Sequence, residues 1–220
     1  MTFRLTGARW AALVSAVALS TTLIPSAALG AGAAEDLSAP PSGRITLDVQ
    51  TVNGSGCPAG TASVSMLPDN TGFKINYSNF RAEDGGTADP TAFRKNCQVN
   101  LNVHIPQGFT FAVARADHWG RLHLEAGATA LERSNYYYQG SAENNFVDHA
   151  FTGPLSGTWR ATDITPVAEL VYSPCGETRN LNINSELRVN SGTSTGRNYI
   201  SMRASDGEVY TLVQFQWKQC

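Results

Sequence analysis

The chain is 220 residues long, 42% hydrophobic and 15% charged, with 16 Lys+Arg against 18 Asp+Glu. That length suits one all-β domain, and the apolar content is enough to build a core, which excludes a wholly disordered chain. So balanced a charge supplies no broad positive field, so nucleic acid is not expected as a partner.

At the amino terminus, Arg4 and Arg9 precede or flank a mostly apolar run from Trp10 to Ile24. Small residues follow Pro25, with Ala31-Gly32-Ala33 as an A-x-A cleavage site and Ala28-Leu29-Gly30 as a competitor. This order predicts a secretory signal peptide over 1–33 and a secreted, extracellular product. The run is short and carries Ser15, Ser20, Thr21 and Thr22; no later stretch has spanning length, so no membrane span is expected after cleavage. Residues 34–43, rich in Ala, Pro, Ser and Gly, read as a flexible leader, and 44–220 as a single domain.

From there the period is two. Ile45, Leu47 and Val49 alternate with polar residues, as do Phe73, Ile75 and Tyr77, then Val99, Leu101, Val103 and Ile105. Leu181, Ile183, Leu187 and Val189 follow the same rule, and so do Val213, Phe215 and Trp217. Each run predicts a strand with one buried and one wet face. Turn chemistry separates them: Pro68-Asp69-Asn70-Thr71-Gly72 as a hairpin, Pro106-Gln107-Gly108 as a tight reversal, and Asp206-Gly207 between the last two strands. Asp89 followed by Pro90 predicts a short capped turn near Asp89 to Asn96. Ten to twelve strands are expected, forming a two-sheet antiparallel β-sandwich, jelly-roll-like, with a closed barrel as the alternative.

The four cysteines, Cys57, Cys97, Cys175 and Cys220, lie beyond the signal segment and predict two disulfides. Three connectivities are open. Cys57 with Cys97 and Cys175 with Cys220 is favoured, because each pair encloses one half of the domain. The nearest two cysteines are 40 positions apart, so no zinc site of the C-x-x-C kind is expected.

Gly56-Cys57-Pro58 after the first strand, Phe93 to Cys97, Asn180 to Asn184, Leu187-Arg188-Val189 and the closing Trp217-Lys218-Gln219-Cys220 together resemble the secreted family known as domain of unknown function 4360. The resemblance covers about Arg44 to Cys220 and implies a small exported protein of bacteria or fungi. It carries over no activity and no functional residues. A usage of 3 Lys against 13 Arg fits a high-GC bacterial genome.

Several motifs invite chemistry. Gly192-Thr193-Ser194-Thr195-Gly196 matches a nucleophile elbow, but its histidine must follow the serine and the last one is His149, which leaves a flexible Gly/Ser/Thr loop. A triad in another order, using His104, His118, His123 or His149, has no positive signal. His123-Leu124-Glu125 with Pro174-Cys175 lacks the second cysteine of a zinc deaminase, since Thr178 stands there. His118 and His123 are spaced so that neither helix nor strand puts them on one face, and they read as partly exposed histidines around an Asp117 to Gly120 turn. Glu125, Glu132, Glu143, Asp148, Glu169 and Glu186 could furnish a glycosidase pair, a matter of carboxyl separation. Glu83 to Asp89 departs from the calcium-loop order and reads as a polar loop.

The most suggestive patch is Tyr136-Tyr137-Tyr138 with Asn144 and Asn145, because a strand must turn at least one ring outward beside amide side chains. Asn100, Asn102, Asn180, Asn182 and Asn184 add amide-bearing faces. The expectation is a secreted, non-catalytic binding or structural protein without cofactor or metal, whose partner is a carbohydrate or an extracellular protein. The competing readings are a secreted hydrolase of envelope or environmental polysaccharide, and a toxin or inhibitor.

Overall fold

In the computed structural model, which describes residues 37–141, 145–202 and 210–220, the alternating runs become extended strands. In chain order they are β1 (Leu37–Ser38), β2 (Thr46–Asn53), β3 (Ala62–Met66), β4 (Gly72–Tyr77), β5 (Arg81–Asp84), β6 (Arg94–His104) and β7 (Phe109–Leu124). Then come β8 (Thr129–Tyr138), β9 (Asn145–Thr152), β10 (Leu155–Ile164), β11 (Leu181–Asn190), β12 (Asn198–Ser201) and β13 (Tyr210–Gln219). These thirteen strands of the described residues exceed the ten to twelve read from alternation. The only helical element among them is a 3-10 turn at Val167–Glu169.

All pairings are antiparallel, and they build two sheets. The five-stranded sheet has the order β2-β6-β11-β8-β9; the eight-stranded sheet runs β3-β4-β13-β7-β12-β5, with β1 also on β13 and β10 also on β7. The expected sandwich is the observed architecture. Its core is the sum of the inward faces: Val99, Leu101, Leu181, Ile183 and Leu187 from one sheet meet Phe73, Ile75, Leu122, Val213 and Trp217 from the other. Each such side chain contributes about 1.5–3 kcal/mol on leaving water. Both disulfides, Cys57–Cys97 and Cys175–Cys220, close as the favoured connectivity has them.

Local chemistry explains the connections. Pro68 to Gly72 joins β3 to β4, with Asn70 at φ 60° and the Leu67 N–H donating to the Gly72 carbonyl at 2.8 Å. Pro106-Gln107-Gly108 does reverse the chain, but it carries it from β6 in one sheet to β7 in the other. The Asp89 side chain accepts from the Thr91 N–H at 2.7 Å, the capped turn expected there. Gly120, in the middle of β7, allows a close approach that no other residue would: a Cβ there would lie 1.9 Å from the Ser201 carbonyl oxygen.

Two local readings are corrected. Part of the flexible leader is tied down, since Leu37 and Ser38 pair with Lys218 and Trp217, and the Asn70 amide donates to the Pro41 and Gly43 carbonyls. Asp117 to Gly120 is mid-strand in β7 and not a turn, because β13 and β10 supply partners on both of its edges. The signal segment expected over 1–33, the candidate Asn144 and the turn expected at Asp206-Gly207 lie outside the described residues. Among those described, no helix is long and apolar enough to cross a membrane.

Candidate functional site

Strand alternation sorts the tyrosine patch into two environments. Tyr136 and Tyr138 point into the sandwich and are 8% and 4% exposed. Tyr138 sits edge-on to Phe111 and its hydroxyl donates to the Phe111 carbonyl at 2.8 Å. As a surface patch the expected set is therefore corrected: the two rings belong to the core, and Tyr137 alone of the three faces outward, half-buried. Of the amides expected beside them, Asn145 pairs through its backbone with Tyr136 at the start of β9.

Tyr137 lies on the outer face of the five-stranded sheet, and that face is made of amides. The registers align Asn100 with Asn182 and Asn182 with Tyr137, and one step on align Gln98 with Asn184, Asn184 with Asn135, and Asn135 with Phe146. Asn100 accepts from Asn180 at 2.9 Å and donates to Asn182 at 2.7 Å, so this end of the ladder is closed on itself. The other end opens into a groove of about 260 Å³, lined by Arg94, Gln98, Arg133, Phe146, Asn184 and Glu186 among others. Phe146 is 61% exposed there, with the Arg133 guanidinium 5.9 Å from its ring centroid. The Asn184 Oδ1 has no hydrogen-bond partner.

Charge in the groove is paired and fixed. Arg133 grips Asp148 with two bonds of 2.5 Å. Glu186 accepts from both Arg94 and Arg188. Burial works against its carboxylate, yet the two guanidinium groups prevail and hold its pKa below the usual range.

A second polar constellation lies inside the sandwich. His118 of β7, Glu132 of β8 and Asp163 of β10 alternate inward with Ala116, Ala130 and Ala161, and are 0%, 0% and 4% exposed. The His118 Nε2 is 3.1 Å from Asp163 Oδ2 and 3.0 Å from the Tyr136 hydroxyl, which itself donates to Asp163 Oδ2 at 2.7 Å. The His118 Nδ1 is 3.1 Å from Thr211 Oγ1 and 4.0 Å from Glu132 Oε1. His149, half-buried at the rim, reaches Asp163 Oδ1 at 2.6 Å. Burial lowers the pKa of His118, but the Glu132 and Asp163 carboxylates outweigh it and raise the imidazole above its ordinary value. Burial raises Glu132; Asp163 is likewise penalised, yet its bonds to His118, His149 and Tyr136 hold it low.

The other candidate residues disperse. His118 and His123 do face opposite ways, with His123 on the outer face beside Ser156, but His118 is fully buried and not partly exposed, because its strand position points inward. His104 pairs with Asp48 at 2.7 Å on the surface. Ser194 of the Gly-Thr-Ser-Thr-Gly loop donates to Glu125 at 2.7 Å, and Asn198 donates to Ser194, so this loop is braced by hydrogen bonds rather than free, and no histidine joins it. Glu83 pairs with Arg81 and Arg197, Asp84 accepts from the Ser191 N–H, and Asp89 caps its own turn, so the acidic loop's carboxylates go to separate partners. Asp163 escaped sequence reading, although its place two residues after Ala161 and four after Trp159, on the inward phase of β10, is a legible signal. Phe146 escaped likewise, on the same phase as Asp148.

A family model described as a domain of unknown function, DUF4360, matches residues 43–220. The chain belongs to this family. A relative from the fungus Arthroderma benhamiae, named an uncharacterized secreted protein, is 31% identical over 182 residues, covering 83% of this chain and 74% of the relative. A fungal member means that the family does not select a bacterial source, which rests on the Arg-rich composition alone. Among solved structures, the enzymatically active domain of tailspike protein 4 from bacteriophage CBA120 is similar over 80% of this chain, at 12% identity and a TM-score of 0.22; the chain spans 19% of that protein. A family 16 carbohydrate binding module is similar over 62% of this chain and 87% of its own length, at 17% identity and a TM-score of 0.19. Neither likeness bears on the groove or the buried cluster.

Proposed function

We propose that the protein is a secreted, non-catalytic binding protein that holds a saccharide in the groove on the outer face of the five-stranded sheet. The observation that carries this reading is Phe146, a large ring left 61% exposed above a polar groove lined by Gln98, Asn184 and Glu186. A pyranose offers an apolar C–H face for the ring and hydroxyls that both donate and accept. Gln98, Asn184 and the paired guanidinium and carboxylate groups match those hydroxyls, and the charged groups are held in place by their ion pairs. Exposed apolar surface rimmed by polar groups is a usual mark of a binding site.

The groove is smaller than the roughly 300–1,000 Å³ of pockets that engulf a ligand. It fits one ring of a polymer, with the rest of the glycan running along the amide ladder toward Tyr137. The hydrolase alternative would need carboxylates facing the sugar. The close pair, Glu132 with Asp163, lies in the core, and the groove's own carboxylate, Glu186, is committed to arginines, as is Asp148 beside it on Arg133.

Affinity electrophoresis through gels cast with soluble polysaccharides tests the reading. Wild-type protein is expected to be retarded by at least one glycan and Phe146→Ala to run as in the blank gel. Equal mobility of both proteins in every gel would overturn it.

A further inference from the structure

The buried cluster calls for an explanation of its own, because ionisable side chains in a core cost free energy unless something balances them. One ligand atom from each of His118, Glu132 and Asp163 lies within 4.8 Å of the others. The three come from both layers, His118 and Asp163 from the eight-stranded sheet and Glu132 from the five-stranded sheet. The Glu132 Oε2 is buried and has no hydrogen-bond partner. We propose that this cluster binds one divalent transition ion, of the zinc or manganese class, that ties the two sheets together.

Charge, geometry and the surrounding bonds each support the assignment. A neutral imidazole and two carboxylates carry two negative charges, which one divalent cation cancels, so the loaded site is neutral within the core. One nitrogen with two carboxylate oxygens suits zinc, manganese or ferrous iron. Calcium, with six to eight oxygen ligands, is not matched by it. The 3.1 Å between His118 Nε2 and Asp163 Oδ2 is close to the roughly 3.3 Å edge of a tetrahedron with bonds of about 2.0 Å. Glu132, whose Oε1 stands 4.0 Å from the His118 Nδ1, completes the set by closing in on the other two with its unpartnered Oε2.

The outer bonds orient the ligand residues. Thr211 engages His118 at Nδ1, so Nε2 is the nitrogen that faces Asp163 and the Tyr136 hydroxyl, the contacts an ion would replace, and Ser134 donates to Glu132 Oε1 at 2.7 Å, which leaves Oε2 without a partner. Metal-binding histidines and carboxylates are usually oriented by such second bonds. The Tyr136 hydroxyl, beside both Nε2 and Asp163, is the nearest further oxygen. His149, on the far oxygen of Asp163 and 23% exposed, marks the way in from solvent.

The test uses the exported chain and Co²⁺ as a visible probe, with Zn²⁺ and Mn²⁺ in parallel. Wild-type protein is expected to retain one equivalent after desalting, with tetrahedral-type absorption for Co²⁺. The near-isosteric Glu132→Gln is expected to keep its far-UV dichroism and bind at least tenfold more weakly. Absence of uptake of all three ions by wild type would overturn the proposal, and so would unchanged affinity in Glu132→Gln. Should that variant not fold, the wild type decides: Co²⁺ must displace the imidazole NMR signals of His118, and unmoved signals refute the site.

Discussion

The two disulfides enclose nearly equal loops, of 40 and 45 residues, yet removing them should not cost the same. In the chain-entropy model each loop contributes about 4 kcal/mol, and the difference between them is only about 0.1 kcal/mol because the dependence is logarithmic. Burial separates them. Cys57 and Cys97 are inside the core next to Phe80 and Val99, whereas Cys175 and Cys220 are exposed at the end of β13. Replacing the exposed pair by serine should therefore remove about 4 kcal/mol, which for a domain of this size lowers Tm by about 8–16 °C. Replacing the buried pair by alanine should remove that and about 1–2 kcal/mol more, through the cavity left by two sulfur atoms. Differential scanning calorimetry of the two double variants checks both numbers. A loss under about 3 °C for the exposed pair, or a larger loss there than for the buried pair, would refute the reasoning.

The remaining predictions concern packing, pH and the binding face. Tyr138→Ala should destabilise the fold by about 3–5 kcal/mol in urea unfolding, since it empties the space beside Phe111, while Tyr137→Ala should stay within about 1 kcal/mol. Gly120→Ala should prevent accumulation of folded protein in secretion trials, because the new methyl group would meet the Ser201 carbonyl backbone. Glu186 and Glu83 have pKa values held low in the folded state, Glu83 chiefly by its bond to Arg197 and Glu186 by Arg94 and Arg188 against the cost of its burial. Groups lowered on folding stabilise fully above their unfolded pKa and lose that contribution as pH falls toward the folded one. The contribution of these two groups should thus be constant above about pH 5, and Tm should fall below about pH 4 as it is lost. In Arg94→Ala with Arg197→Ala the acid-side fall should be shallower, and an unchanged profile would contradict these pairs as its source.

Much of the sandwich was legible because period-two alternation is written directly in β4, β6, β11 and β13, and turn residues mark Pro68 to Gly72. Sheet membership was not legible. Pro106 to Gly108 reads as a tight reversal, and only the packing of the inward faces sends β6 and β7 to different layers. The bulge in β2, where the register shifts between Val49 and Thr51, left Val49 exposed on an edge although its alternation reads as buried. For the site, alternation correctly separates Tyr137 from its two neighbours but cannot say which phase faces the core. The buried cluster was hidden for a related reason: His118, Glu132 and Asp163 are far apart in sequence and polar, and polar residues on an inward phase look like errors in an apolar pattern until three strands bring them together.

The most direct test of saccharide binding is a pull-down of residues 34–220 on insoluble chitin, cellulose and peptidoglycan, with wild type and Phe146→Ala side by side and released sugars assayed in the same tubes. Retention of wild type on one polymer, loss of that retention in Phe146→Ala, and no sugar release is the predicted result. Release of sugar would make the protein an enzyme, and equal retention of both proteins would move binding away from the groove; either contradicts the assignment.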